Sequence, residues 1–385
     1  DWTVDDAALV RDNPVVARGP GALGAAFATD AWRAPTEAGV WRPLTVWSFG
    51  LEWPLWSRDD GEPVSPFGFH LTNLFLHGLA ALLLLRLGTR LLPDRPVVAA
   101  GAALLLAVHP LHASTVATLV GRADLLALVL GLVAAWLWVE AARGRTALLP
   151  LAALAFFLAL LAKETIVGLP LALLALEVAA PGRVGARRWA ARLAAYGVLL
   201  VPVALWALRW PGFAPDLRAG VEGLGAATTA FFVPVGFVHD LLAIGDVPAD
   251  LTVSPVALAV GVAVLLAGAL LAWRPGPLAF GVASTALLWT AAVLVSPPGL
   301  PLLARFAYVP GVGLCLLGGV LVHVLVARPV ARRVGVVAAL VLLVALGTHT
   351  WTEGRAYADA DAYDRAHVDA NPGSNALLVL SLIHI

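Results

Sequence analysis

The stretch FHLTNLFLHGLAALLLLRLGTRLL, residues 69–92, decides the fold class. Its interior is a run of Leu and Ala about as long as a helix must be to cross the hydrocarbon core of a bilayer, roughly 20 residues. Polar side chains stand only towards its ends. His70, Asn73 and His77 fall at i, i+3 and i+7 on one helical face near the start, and Arg86 and Arg90 stand near the finish. The pattern predicts a membrane-spanning helix with a polar, functional end and a basic end.

Working outward, comparable apolar stretches recur near residues 97–111, 123–142, 146–162, 165–180, 193–210, 256–273, 277–296, 308–327 and 334–350, making ten in all. Residues 223–243 are also apolar, but Pro234, His239 and Asp240 interrupt them, and they read as interfacial or re-entrant. The 385-residue chain is 60% hydrophobic and 13% charged, with a mean hydropathy of +0.87. Soluble domains carry about 25% charged residues. The expectation is an all-α polytopic membrane protein of about ten transmembrane helices. Its single cysteine, Cys315, excludes an intrachain disulfide framework and a CxxC-type metal site. Nothing in the composition points to nucleic acid.

Charge sets the orientation, because Lys and Arg collect in the short loops left on the cytoplasmic side. If alternate loops face inward, that side holds Arg86, Arg90, Arg95, Arg143, Arg145, Arg183, Arg187, Arg188, Arg192, Arg274, Arg328, Arg332 and Arg333 against Asp94, Glu140 and Glu177, a net +10. The other side carries the remaining 12 basic and 22 acidic residues, a net −10. Residues 1–68 and the C-terminal tail then lie outside. His109 and His112, Arg122 and Asp124, Lys163 and Glu164, and Arg305 and Tyr308 gather at the same outer level as His70, Asn73 and His77. Ionisable groups are costly in lipid, so they are expected to converge on an internal, water-reachable cavity.

The first 68 residues carry six tryptophans, a density that suits a loop folded onto the membrane interface. Arg42-Pro43-Leu44 opens an apolar helical stretch within it. At its start stand the adjacent acids Asp5 and Asp6. Two neighbouring carboxylates repel, so keeping both ionised favours a cation, a shared proton or full solvation. The tail over 351–379 turns polar and acidic and reads as the start of a tetratricopeptide-like helical repeat. The chain has no methionine, so it is expected to lack its true N-terminus and a preceding transmembrane helix. Residues 380–385, Leu-Ser-Leu-Ile-His-Ile, read as a sequencing-adapter scar and are set aside. Among 24 arginines, the one lysine, Lys163, marks a site that wants a compact ammonium.

Several stretches follow one another in a recognisable order. They are Val4-Asp5-Asp6, Asp12-Asn13-Pro14, Trp41-Arg42-Pro43-Leu44-Thr45, Phe69-His70-Leu71-Thr72-Asn73-Leu74 with His77, and Ala107-Val108-His109-Pro110-Leu111-His112. Val120-Gly121-Arg122-Ala123-Asp124-Leu125-Leu126, Leu161-Ala162-Lys163-Glu164 and Ala304-Arg305-Phe306-Ala307-Tyr308-Val309-Pro310 complete the set. The ordered set resembles bacterial relatives of the transmembrane, tetratricopeptide-repeat-containing O-mannosyltransferases, within the GT-C class of glycosyltransferases. Departures are Trp41 where the family usually shows Tyr, Ser114 where an acid is common, and the short repeat region.

The resemblance implies a GT-C-like bundle in the bacterial inner membrane with its active site facing the periplasm. It further implies a polyprenyl-phosphate-linked sugar as donor, a hydroxyl of a protein or surface glycan as acceptor, and a protein partner for the repeats. By the same resemblance, Asp6 or Asp5 is the catalytic acid of the outer loop, either as a base taking the acceptor's proton or as a ligand for Mg²⁺ or Mn²⁺. Arg42, Arg122, Lys163, Arg305, His109 and His112 are candidates to hold the departing phosphate, supported by His70, Asn73, His77, Asp124, Glu164 and Tyr308.

Blander readings stand beside these. Arg42 snorkels from an interfacial helix, Arg122 pairs with Asp124, Lys163 and Glu164 form a helix-end pair, and His77 is an interhelical histidine with its bonds satisfied. His109 and His112 at i, i+3 share a face that could ligate zinc, but no third ligand stands nearby. At the level of the whole chain, the competing readings are a lipid or solute transporter, disfavoured because the ionisable groups sit at one end of the bundle and no internal repeat is seen, and a membrane scaffold that works through its repeats.

Overall fold

A computed structural model describes residues 2, 6–29, 31, 41–57, 65–179, 197, 199–201, 203–204, 217–232, 255–271, 276–294, 304–327, 332–355, 357 and 362. The described residues form helices and no strand. Asp5, most of the stretch near 193–210, the residues Pro234, His239 and Asp240, and nearly all of the tail lie outside them.

Before the first long helix come a π-helical turn at Ala7–Arg11, a 3-10 segment at Val16–Ala22 and α1 (Leu23–Ala28). Then follows α2 (Pro43–Trp56), which opens with Arg42 at its N-cap and Pro43 in its first turn, where a missing N–H costs nothing. The Trp41 and Trp47 indoles donate to the Phe27 and Pro20 carbonyls, each at 3.0 Å. Two of the tryptophans that mark this segment thus fasten α2 to the chain before it.

The bundle proper contains α3 (Phe67–Leu91), α4 (Pro96–Val108), α5 (Ala113–Ala117), α6 (Arg122–Ala142), α7 (Leu149–Ala162) and α8 (Leu169–Ala179). After a gap in the described residues come α9 (Leu217–Phe232), α10 (Pro255–Leu271), α11 (Pro277–Leu294), α12 (Gly311–Ala327) and α13 (Arg332–Arg355). Nine of the ten expected apolar stretches are occupied by helix, and the tenth, near 193–210, is described only at 197, 199–201 and 203–204, all helical. By length and composition α3, α6 and α13 are long enough to cross a membrane, and α4 with the segment Pro110–Ala117 makes a fourth, bent by 54°. Helices α7, α10, α11 and α12 are apolar but shorter. Of the 223–243 stretch, the part up to Phe232 is helical, within α9, and the interrupting residues Pro234, His239 and Asp240 lie outside the described residues.

Leu82, Leu151, Leu154, Leu266, Leu325, Leu340 and Val344 all present their side chains outward, the apolar surface a lipid environment accepts. Between helices the contacts are close. A Cβ on Gly319 of α12 would lie 2.3 Å from the Val98 carbonyl oxygen of α4. Only a glycine lets these two backbones meet so tightly, as small residues do at helix crossings in membranes.

Candidate functional site

The polar residues of the first end of α3 meet those of α2, α6, α7 and the turns around them. Arg122, the first residue of α6, is fully buried. Its Nε donates to Asn73 Oδ1 at 2.8 Å, its Nη2 to the Phe69 carbonyl at 2.6 Å and its Nη1 to Glu52 Oε1. The guanidinium lies 4.2 Å over the Phe49 ring. Asn73 Nδ2 in turn donates to the Thr118 carbonyl at 2.8 Å. Every face of this buried cation is thereby met by an acceptor or an aromatic ring, which a charge out of water requires.

Gly121 makes the placement of Arg122 possible. A Cβ there would stand 1.9 Å from the Thr115 carbonyl oxygen, so no other residue lets the turn close against α5. The same turn holds Asp6. Asp6 is fully buried, and its Oδ1 accepts from the backbone N–H groups of Leu119 at 2.8 Å and Val120 at 3.1 Å. Two converging amides form a small anion cradle, so Asp6 is fixed to the entry of α6.

Two further ion pairs complete the centre. Arg42 and Glu164 pair through both arms, Nε to Oε2 at 3.0 Å and Nη2 to Oε1, while Thr45 Oγ1 donates to the Ala162 carbonyl at 2.9 Å. Lys163 Nζ donates to Asp124 Oδ2 at 2.6 Å and lies 4.5 Å over the Phe306 ring. Arg122 therefore does not pair with Asp124, nor Lys163 with Glu164. Arg42 is not a snorkelling surface residue either, because it is buried against Glu164. Arg305, in the 3-10 turn Ala304–Ala307, stands half-buried next in sequence to Phe306.

On the adjoining side lie the histidines. His77 Nε2 lies 3.2 Å from the Ala107 carbonyl, which only accepts, so Nε2 carries the proton and Nδ1 accepts from the Tyr308 hydroxyl at 2.8 Å. This is the satisfied interhelical histidine that the sequence reading allowed. By the same logic His109 Nε2 donates to the Phe231 carbonyl at 2.8 Å, and its Nδ1 accepts from the Leu111 amide at 3.2 Å. His112 packs edge-on against Tyr308, centroids 5.2 Å apart, with its Nε2 3.8 Å from Cys315 Sγ. His70 is half-buried on α3.

Within these segments some buried polar atoms, Asp124 Oδ1, Thr115 Oγ1, Thr165 Oγ1 and His112 Nδ1, have no hydrogen-bond partner among the described residues. Buried polar groups are ordinarily bonded, so these atoms leave hydrogen-bonding capacity unused inside the centre. Among the described residues no group of three His, Cys, Asp or Glu side chains is placed to hold a metal ion, and Asp5 lies outside them.

Glu52 is not among the residues that the sequence singles out. Its signal is that it is the one charged residue of the otherwise apolar α2. Burial raises its carboxyl above the ordinary range against the opposing pull of Arg122.

Fold and site together define an all-α membrane protein whose buried polar centre is built at one end of its helices. In sequence it is related to the TMTC protein O-mannosyl-transferases over about a third of its length. It is 44% identical to protein O-mannosyl-transferase Tmtc2 of Drosophila melanogaster over 108 residues, 27% of this chain and 11% of that protein. It is 33% identical to protein O-mannosyl-transferase F38B6.6 of Caenorhabditis elegans over 146 residues, 36% of this chain and 20% of that protein. With mouse TMTC1 it shares 37% identity over 138 residues, 35% of this chain and 14% of that protein. The matches thus span a fifth or less of each of these relatives. No family model and no solved structure matches the chain.

Proposed function

We propose that the protein is a membrane glycosyltransferase of the GT-C kind. It moves a sugar, mannose by analogy with the names of its relatives, from a polyprenyl-phosphate donor to a hydroxyl of a protein or surface glycan. The observation that carries this reading is the cradle at the entry of α6, which holds the Asp6 carboxylate on the Leu119 and Val120 amides in the turn leading to the buried Arg122. It brings the Asp6 carboxylate to the cations at one end of the bundle.

In the reaction, the acceptor oxygen forms a bond to the anomeric carbon as the bond from that carbon to the phosphate oxygen breaks, in a single inverting displacement. The acceptor's proton passes to the carboxylate of Asp6 or Asp5. The leaving phosphate carries the bonding electron pair and is stabilised by the nearby positive charge of Arg42, Arg122, Lys163 and Arg305. His112, whose Nδ1 is unpartnered among the described residues, is a further donor, whereas both ring nitrogens of His109 are already bonded. The other role for the acid pair is to hold Mg²⁺ or Mn²⁺ against that phosphate. The charge census supports an outward-facing site, which in a bacterial cytoplasmic membrane is the periplasmic side, and the tail over 351–379 is the segment that would recruit a protein partner.

The test supplies labelled polyprenyl-phosphate-mannose and a hydroxyl acceptor to the purified full chain. We expect transfer by the wild type and a loss of about 100-fold or more in whichever of Asp5→Asn and Asp6→Asn removes the base. Restoration by Mn²⁺ after chelation assigns the metal role. Wild-type rates in both variants would remove the acid pair from the mechanism. A folded wild type with no transfer from any polyprenyl-phosphate sugar would leave a transporter or a scaffold.

A further inference from the structure

A second site lies away from this centre. An apolar cavity of about 540 Å³, within the roughly 300–1,000 Å³ of ligand pockets, runs between α3, α6, α8, α11 and α12. Leu91, Leu132, Leu173, Phe280 and Leu316 represent the five helices in its wall. At one end its lining changes character and includes Asp94 and Arg143. That is the opposite end of α3 and α6 from Asn73 and Arg122, since Arg90 and Glu140 meet there as Asn73 and Arg122 meet at the other.

The arginine end has an excess of positive charge. Glu140 accepts from Arg90 Nε at 2.6 Å, and Arg143 and Arg145 each stand 3.7 Å from the same carboxylate. Arg143 Nη2 also donates to the Arg90 carbonyl at 2.9 Å, but one carboxylate cannot satisfy three guanidiniums, so Arg143 and Arg145 still keep unspent donors. Among the described residues this end carries five exposed arginines, Arg86, Arg90, Arg95, Arg143 and Arg145, against Asp94, Glu140 and Glu177, the last of which accepts from the Trp138 indole at 3.0 Å. An apolar cavity with Arg143 in its lining and Arg145 beside it on the same carboxylate matches a molecule with a hydrocarbon chain and an anionic head.

We propose that the cavity binds an anionic glycerophospholipid from the leaflet that the arginine end faces. One acyl chain lies along the cavity and the headgroup phosphate rests on Arg143 and Arg145. The assignment stands apart from the proposed transfer reaction, whose groups lie at the other end of the bundle.

The experiment measures lipid retained by the purified full chain, by native mass spectrometry, after incubation in micelles doped with phosphatidylglycerol, phosphatidylcholine or polyprenyl phosphate. The wild type should retain phosphatidylglycerol over phosphatidylcholine, and the double variant Arg143→Ala with Arg145→Ala should reduce that preference about tenfold. Leu132→Trp, which fills the channel, should lose both lipids. Leu82→Trp, on the outward face of α3, should behave as wild type and serves as the folding control. Because the two arginines are exposed, their variant tests the idea even if Leu132→Trp does not fold. Equal retention of both phospholipids by the wild type overturns the proposal, as does a preference that the arginine variant leaves intact. Tighter binding of polyprenyl phosphate than of phosphatidylglycerol would instead assign the cavity to a donor chain.

Discussion

Lys163 Nζ stands 2.6 Å from Asp124 Oδ2, with both side chains 1% exposed, so the chain's one lysine neutralises a carboxylate across the α6–α7 interface. Leaving either charge alone in the interior is expensive, whereas removing both can be nearly neutral. We expect Lys163→Met to lower stability by about 3–5 kcal/mol and Lys163→Met with Asp124→Leu to recover most of that loss. Thermal unfolding of the detergent-solubilised protein checks it. Equal losses in the single and double variants would mean that the lysine acts through something other than Asp124.

The turn at Gly121 gives a steric prediction. Gly121→Ala should cost about 1–3 kcal/mol, as overpacking does, because its Cβ meets the Thr115 carbonyl oxygen at 1.9 Å. Gly24→Ala, where nothing lies within 4 Å, should be close to neutral. The two variants compared by melting temperature give the answer.

Glu52 gives a pH dependence. Its carboxyl is raised in the folded protein above the ordinary 4.5, mainly by burial. A raised carboxyl adds stability at pH below the unfolded value, and that contribution is lost as pH rises through the folded value. Wild type should therefore lose stability relative to Glu52→Gln as pH climbs from 4.5 towards neutrality. Parallel pH series of melting temperatures for the two proteins measure this, and a gap that stays constant or moves the other way would refute it.

Orientation is open to direct labelling, since the only native cysteine, Cys315, is buried. Single cysteines at Gly24 and Arg95, both exposed, should react with an impermeant thiol reagent from opposite sides of the membrane. Reaction from the same side would overturn the charge-based topology.

The helices were legible because a bilayer imposes a length and an apolar composition on anything that crosses it, and residues 69–92 show both. The residues of the centre were legible too, as polar groups in places where lipid makes them costly. Their pairing was not. Arg122 and Asp124 stand two apart on a helix and cannot face one another, so each found a partner elsewhere, Glu52 and Lys163. Lys163 and Glu164 are sequence neighbours, but Lys163 is extended, at φ −158 and ψ 139, and successive side chains of an extended backbone point apart. Glu52 escaped notice because one acid in an apolar helix acquires meaning only when the cation across from it is known.

The break between α4 and Pro110 carries a mechanical consequence. Ending a helix inside the bundle strands its last carbonyls. His77 of α3 takes that of Ala107, and Thr350 Oγ1 of α13 takes that of Val108 at 2.6 Å. Helix α13 otherwise turns most of its apolar surface outward, with 17% of its apolar window buried. Thr350 thereby pins α13 to the bend that carries His109 and His112, so the last helix acts as a strut under the histidine turn.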